Sequence, residues 1–481
     1  MRILPKLSPT AWVTAQTVIT QFFGLLIFAV QAPLLGPRVF GLVGIVMAFL
    51  GVCELLVGDA AAECLISLRN IDHKHYDSMN TVTVLISLTI GAAVFCAAPT
   101  MALWFADPQL KSIFRWMALL PVITALSSVP IAVTKHNMQF RPLALRSIGG
   151  VVLAGVCGLI LTLLGAGVWA LVVQALVQRV VAVTVLWVAV PVRLRFGLSV
   201  SHLRDIGGYA GKVALSKIMS LVAASVPRII LGLYMGAVEV GYFSMAARLC
   251  EIMMLVLVVP RFAVARIELR AHVPRSSELS QSVAAHLRAA SALCFPVCLG
   301  AAVAVPTLFH VWLDERWFGG ILTTQLILLT CVPSVTSYCA TATLMALNKQ
   351  GWEALASTLQ AVAILMAAWI AAPFGLTVVA IALVVRALIM LPLPALLLRR
   401  CGLAINTLIS SQLPALLAAL LLAVSLFLLR WQLVPLLGYG PTLLLMVIFS
   451  ALAYVALLQR LSPASTAGLP EWLAHRLGRR P

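Results

Sequence analysis

Long apolar stretches recur along the chain, each near the ~20 residues a helix needs to cross a bilayer. They fall at about 11–33, 39–58, 80–101, 112–133, 144–164, 168–190, 209–232, 238–260, 289–310, 321–345, 353–373, 375–397, 411–430 and 440–459. This pattern predicts an all-α polytopic membrane protein with about fourteen transmembrane helices. The run at 209–232 carries several charges, and Gly165–Gly167 and Pro373–Gly375 make very short hairpins, so twelve helices is the alternative count. The longest polar connection, RFAVARIELRAHVPRSSELSQSVAAHLR at 261–288, predicts an amphipathic, partly helical link. Arg2 and Lys6 precede a first run long enough to span and stay, without a cleavable signal pattern.

Punctuation inside the apolar pattern repeats. Gly36 and Gly41 are matched by Gly236 and Gly241, and Pro99-Thr100 with Trp104 by Pro306-Thr307 with Trp312. GVWALVVQALVQR (167–179) is matched by GLTVVAIALVVR (375–386), and both end in arginine. The order is preserved at offsets of 200 to 208 residues. Repeats of six helices keep one orientation, so they are parallel repeats about an axis along the membrane normal. The expected organisation is an N-terminal lobe at 1–206, a C-terminal lobe at 207–400 that includes the 261–288 loop, and two further helices with a basic tail at 401–481.

Composition narrows the class. Of 481 residues, 62% are hydrophobic and 10% charged, against about 45–50% and 25% for soluble domains. The net charge of +18 concentrates in loops on one side, among them those with Arg69, Lys135, Arg141, Arg193, Arg266 and Arg399. Only Arg38, Lys111, Arg115, Arg316 and Arg430 fall on the other. That asymmetry places both termini in the cytoplasm. It also suits the anionic headgroups of the phospholipid bilayer, and no nucleic-acid partner is expected. No segment is large enough for a soluble ATPase domain, and no GxxxxGK[ST] loop occurs. The ten cysteines are scattered; Cys294 and Cys298 share a helix face without partners of zinc-site spacing, so all read as packing residues and no metal or cofactor is implied.

Charges within the spans are the candidate chemistry. The basic ones are Arg179, Lys212, Lys217, Arg228, Arg248 and Arg386; the acidic ones are Glu54, Asp59 and Glu251. Arg179, Arg248 and Arg386 lie near span centres, where facing lipid would cost roughly 8–10 kcal/mol for the three together. They must face protein or water. Gly241, Ser244, Arg248 and Glu251 share a helix face, as do Gly44, Gly51, Glu54 and Gly58, and Thr14, Thr17, Gln21 and Gly24. Such faces suggest a wet cleft between the lobes. The alternative stays open for each charge. Arg248 and Glu251 are spaced to neutralise each other, Lys212 and Arg228 to snorkel, and Arg179, Arg386 and Glu54 to act as braces. The basic excess favours anions, and arginine's planar fork suits a diphosphate.

LLGPRVFGLVGIVMAFLGVCELLVGDAAAECLISLR, APTMALWFADPQL, NMQFRPLALRSI and LLGAGVWALVVQALVQRVV resemble segments of the Wzx-type polysaccharide flippases of the MOP superfamily. LGLYMGAVEVGYFSMAARL is similar to that family's glycine–aromatic–aromatic–Ser–x–Ala–x–Arg–Leu segment, and Arg248 falls on its arginine. The resemblance covers about residues 10–400 and is nearest the exopolysaccharide-export branch. Where that family carries Asn-x-Asp before the basic position aligned with Arg228, this chain has Ser225-Val226-Pro227, so no role of that aspartate transfers.

The resemblance implies a two-lobed helical fold around a central cationic cavity in the bacterial inner membrane. It implies that an undecaprenyl-diphosphate-linked oligosaccharide moves from the cytoplasmic to the periplasmic leaflet by alternating access, without enzymatic chemistry. Arg248, Lys217, Arg228, Arg179 and Arg386 are the candidate diphosphate ligands; Glu54 and Glu251 are candidates for coupling or pairing. Contact with polymerase or export machinery is compatible with that role. Two rivals remain. A MATE-like cation-coupled exporter would need an acidic cavity. A membrane polysaccharide polymerase or ligase would need a sizeable periplasmic loop.

Overall fold

The computed structural model describes residues 9–57, 62, 65, 72–190, 197, 199, 225–272, 276–401 and 404–461. These residues form helices without strands, and the all-α polytopic class holds. Eleven segments among them are long and apolar enough to cross a membrane, and two shorter apolar helices, Ser225–Met235 and Tyr439–Tyr454, accompany them. The first of the eleven contains two helices, because α1 (Pro9–Val57) turns sharply at Gly36.

The chain divides into two compact units, Met1–Gly241 and Tyr242–Pro481. The first unit contains α1, α2 (His73–Trp104), α3 (Gln109–Met117), α4 (Leu119–Ala125), α5 (Ser128–His136), α6 (Phe140–Leu163), α7 (Val168–Ala189) and α8 (Ser225–Met235). α9 (Ala237–Leu257) begins at its end and continues into the second unit. There follow α10 (Val259–His272), α11 (Ser276–Trp312), α12 (Ile321–Leu329), α13 (Cys331–Ala346), α14 (Gln350–Ala371), α15 (Leu376–Ile389), α16 (Pro392–Arg400), α17 (Ile405–Leu437) and α18 (Tyr439–Leu461). The 261–288 connection is helical on both sides of residues 273–275, as its amphipathic pattern suggests. The expected lobe boundary at 206–207 lies outside the described residues.

The repeated punctuation has a structural meaning. Gly36 and Gly236 both take positive φ, 74° and 93°. With ψ at 170°, Gly36 occupies a region nearly closed to other residues. Gly41 and Gly241 make reciprocal close approaches inside the first unit. A Cβ on Gly41 would overlap the carbonyl of Ala237, and one on Gly241 would overlap the carbonyl of Pro37. Trp104 and Trp312 end α2 and α11, and both helices carry their matched proline inside. Gly167 and Gly375 precede α7 and α15, each with positive φ.

Several apolar runs that read as single helices are broken. The run at 112–133 forms α3, α4 and α5, that at 321–345 forms α12 and α13, and that at 375–397 forms α15 and α16. Each break lies about four residues before a proline: Pro121, Pro130, Pro333 or Pro394. Proline has no N–H for the carbonyl four residues back and crowds it. Pro306 frees the Ala302 carbonyl in the same way, and the Gln325 side chain donates to that oxygen at 2.8 Å. In the second unit, Cys294, Cys298 and Cys331 are buried in one apolar cluster with Cys250 packed against it. The Cys250 and Cys331 thiols touch, as do those of Cys294 and Cys298. Among the described residues, no His, Cys, Asp or Glu group is arranged to hold a metal ion.

Candidate functional site

In the first unit one candidate cation, Arg179, meets Glu54 near the end of α1. Its carboxylate is almost fully buried and accepts from Arg179 twice, Nε at 2.9 Å and Nη2 at 2.7 Å. Thr124 Oγ1 on α4 adds a third bond at 3.0 Å. Arg179 reaches from the middle of α7, and its side chain stays 37% exposed. Open space lies over Gly51, one turn before Glu54. Gln31 makes a second polar link in this unit: it is buried and donates to Gln174 at 2.8 Å and to Thr162 at 3.3 Å. Fully satisfied links of this kind fix how apolar helices sit against each other.

Arg386 is the repeat partner of Arg179, but its surroundings differ. It lies in the last turn of α15, just before the break at Met390–Leu391. The carbonyl end of a helix favours a cation there. Arg386 is partly buried, its Nε has no hydrogen-bond partner, and it forms no ion pair among the described residues. The position 200 residues after Glu54 is Met254, a buried apolar side chain. α7 runs unbroken with its arginine held by an acid, whereas α15 is interrupted beside an arginine that forms no ion pair among the described residues. Interrupted helices near the bilayer midplane are where transporters of this architecture place their sites.

Arg248 and Glu251 share the outer face of α9. Nη1 of Arg248 lies 3.2 Å from Oε2 of Glu251, with the side chains 32% and 60% exposed. One bond to a solvated carboxylate leaves most of the guanidinium's donors available. On the same face Ser244 Oγ is buried without a hydrogen-bond partner among the described residues. Tyr242, two residues earlier, anchors the start of α9 by packing on Gly319 and Gly320 and donating to the Arg316 carbonyl at 2.8 Å. Arg228 lies on α8, partly buried. Lys217, Lys212 and Asp59 lie outside the described residues. Sequence reasoning missed the interruption after Arg386, although Pro392 and Pro394 signal it.

A family profile described as "Polysaccharide biosynthesis protein" matches residues 30–322, more than half of the chain. The chain belongs to this family. Among characterised proteins, this member of the polysaccharide biosynthesis family is similar to the succinoglycan biosynthesis transport protein ExoT of Rhizobium meliloti (strain 1021). The two are 24% identical over 235 residues, 48% of each chain, so the match spans about half the length of that relative. The structure is similar to the lipid II flippase MurJ in an inward closed conformation, with TM-score 0.74 and 12% identity over 94% of this chain and 98% of that one. It is also similar to an inward-facing multidrug resistance MATE family transporter of the MOP superfamily, with TM-score 0.61 and 15% identity over 80% and 99%. At these identities the likeness shows the fold alone. The resemblance to Wzx-type flippases agrees with the family, and the apolar helices make this a multi-pass membrane protein.

Proposed function

We propose that this polysaccharide biosynthesis protein flips an undecaprenyl-diphosphate-linked oligosaccharide from the cytoplasmic to the periplasmic leaflet of the inner membrane, supplying exopolysaccharide synthesis by alternating access. The observation that carries this reading is Arg386: a partly buried arginine at a helix break inside an apolar segment, with no acid to neutralise it among the described residues. Such a group is costly in a membrane unless a ligand or water meets it, and its planar fork suits phosphate oxygens. Arg386, Arg248, Arg228 and Lys217 are the proposed ligands of the diphosphate. Arg179, already held by Glu54, contributes only its exposed flank. Glu54 is therefore a pairing group, and Glu251, solvated beside Arg248, is the remaining candidate for coupling.

The names of two similar proteins support this reading: one is a transport protein of succinoglycan biosynthesis, the other a lipid II flippase. The MATE fold is equally compatible with export of small cations, but basic residues outnumber acidic ones in the spans, which disfavours a cationic cargo. Both termini face the cytoplasm in this scheme, as the loop charges require.

The test replaces Arg386, Lys217 and Arg248 singly by alanine and measures surface polysaccharide in cells lacking the native protein. Each variant should accumulate in the membrane at the normal level yet fail to restore polymer, and Arg386→Lys should restore part of it. Wild-type polymer from all three alanine variants would overturn the assignment.

A further inference from the structure

The basic residues on the side where such residues are scarce do not share one fate. Arg38 is held by Asp107 at 2.7 Å, and Arg316 is held by Asp314. Lys111 and Arg115, one turn apart on the exposed face of α3, form no ion pair among the described residues. The nearest acid in sequence, Asp107, is already occupied by Arg38. The Arg115 guanidinium lies over the ring of Phe95 on α2, 5.1 Å from its centroid.

Below this pair a groove of about 600 Å³ runs between α2 and α4, lined almost wholly by apolar atoms. Its floor is narrow because Gly91 lets the helices close: a Cβ there would lie 3.0 Å from the Ala118 carbonyl. Ala92 and Cys96 leave the space unfilled. Leu88, Phe95, Trp116 and Leu119 form the walls, each about half exposed. From Leu88 to Phe95 the groove follows α2 for about 10 Å at the helical rise. Trp116 meets Trp169 edge-on at 6.4 Å beside the mouth. Tryptophans of this kind mark the headgroup level of a membrane.

We propose that this groove binds an anionic phospholipid, with one acyl chain along α2 and the phosphate at Arg115 and Lys111. The apolar walls match the chain, and Arg115 at the mouth, with Lys111 one turn away on the same exposed helix face, matches the headgroup. Phe95 and Trp116 set the boundary between the two. The site belongs to the outer face of the first unit and is independent of the proposed transport cycle.

Native mass spectrometry of the full-length protein in detergent, titrated with phosphatidylglycerol and with zwitterionic phosphatidylcholine, tests the assignment. The wild type should retain phosphatidylglycerol in preference. Arg115→Gln should weaken that lipid about fivefold, from roughly 1 kcal/mol per basic residue at a membrane surface, and Arg115→Gln with Lys111→Gln should abolish the preference. Ala92→Trp should fill the groove and reduce retention of both lipids. Independently of any variant, phosphatidylglycerol should slow maleimide modification of Cys96. Unchanged retention in Ala92→Trp, or equal Cys96 labelling with and without lipid, overturns the groove. An unchanged lipid preference in the double variant overturns the headgroup assignment. Tighter retention of undecaprenyl phosphate than of phosphatidylglycerol also overturns the proposal, because the groove would then serve the cargo's lipid.

Discussion

Arg179→Ala is the most informative single change in the first unit. It removes the donors at 2.9 and 2.7 Å from both Glu54 oxygens and leaves only Thr124 at 3.0 Å. A buried ion stripped of its partner costs about 3–5 kcal/mol. The Glu54 side chain is 9% exposed, but Arg179 is 37% exposed and water reaches one flank of the pair. The lower end, about 3 kcal/mol, therefore applies. For a unit of this size each kcal/mol moves the melting temperature by about 2–4 °C, which gives a fall of about 6–12 °C. Glu54→Gln combined with Arg179→Ala removes both charges and leaves a neutral amide beside Thr124, so it should recover most of the loss, and Glu54→Gln alone completes the cycle. The interaction energy across the four proteins should reach about 2 kcal/mol. Purified full-length protein, heated and then run on a size-exclusion column with fluorescence detection, gives all four midpoints. If Arg179→Ala melts within about 2 °C of the wild type, or the double variant loses the sum of the singles, the link does not brace the helices.

Two further outcomes follow from the packing. Gly41→Ala should prevent normal accumulation, because its Cβ would overlap Ala237, whereas Gly51→Ala, with open space beside it, should accumulate like wild type on immunoblots of membranes. Gln31→Leu strands Gln174 and Thr162 and should cost about 1–3 kcal/mol in the same heating assay, while Gln31→Met with Gln174→Met should recover part of it.

The helices were legible because a bilayer demands long apolar runs, and no other requirement writes that pattern. Gly36 and Gly236 were equally plain, since glycine is the residue that turns a chain at positive φ without strain. The breaks inside runs were harder to see. Lipid and neighbouring helices both select apolar residues, so hydrophobicity does not change where a helix stops, and only Pro121, Pro130, Pro333 and Pro394 mark the places. The Arg248–Glu251 contact was readable from a spacing of three residues. The Glu54–Arg179 link was not, because its partners are 125 residues apart and one-dimensional periodicity says nothing about which helices adjoin. The thiol cluster was hidden for the same reason: Cys250, Cys294, Cys298 and Cys331 come from three helices.

The unequal surroundings of Arg179 and Arg386 bear on how such a chain acquires a use. Where the first unit has glutamate at 54 and the second has methionine at 254, the first arginine is committed to architecture and the second forms no ion pair among the described residues. In the proposed scheme a cation gains its use by lacking a counterion, with no new charge placed inside the membrane.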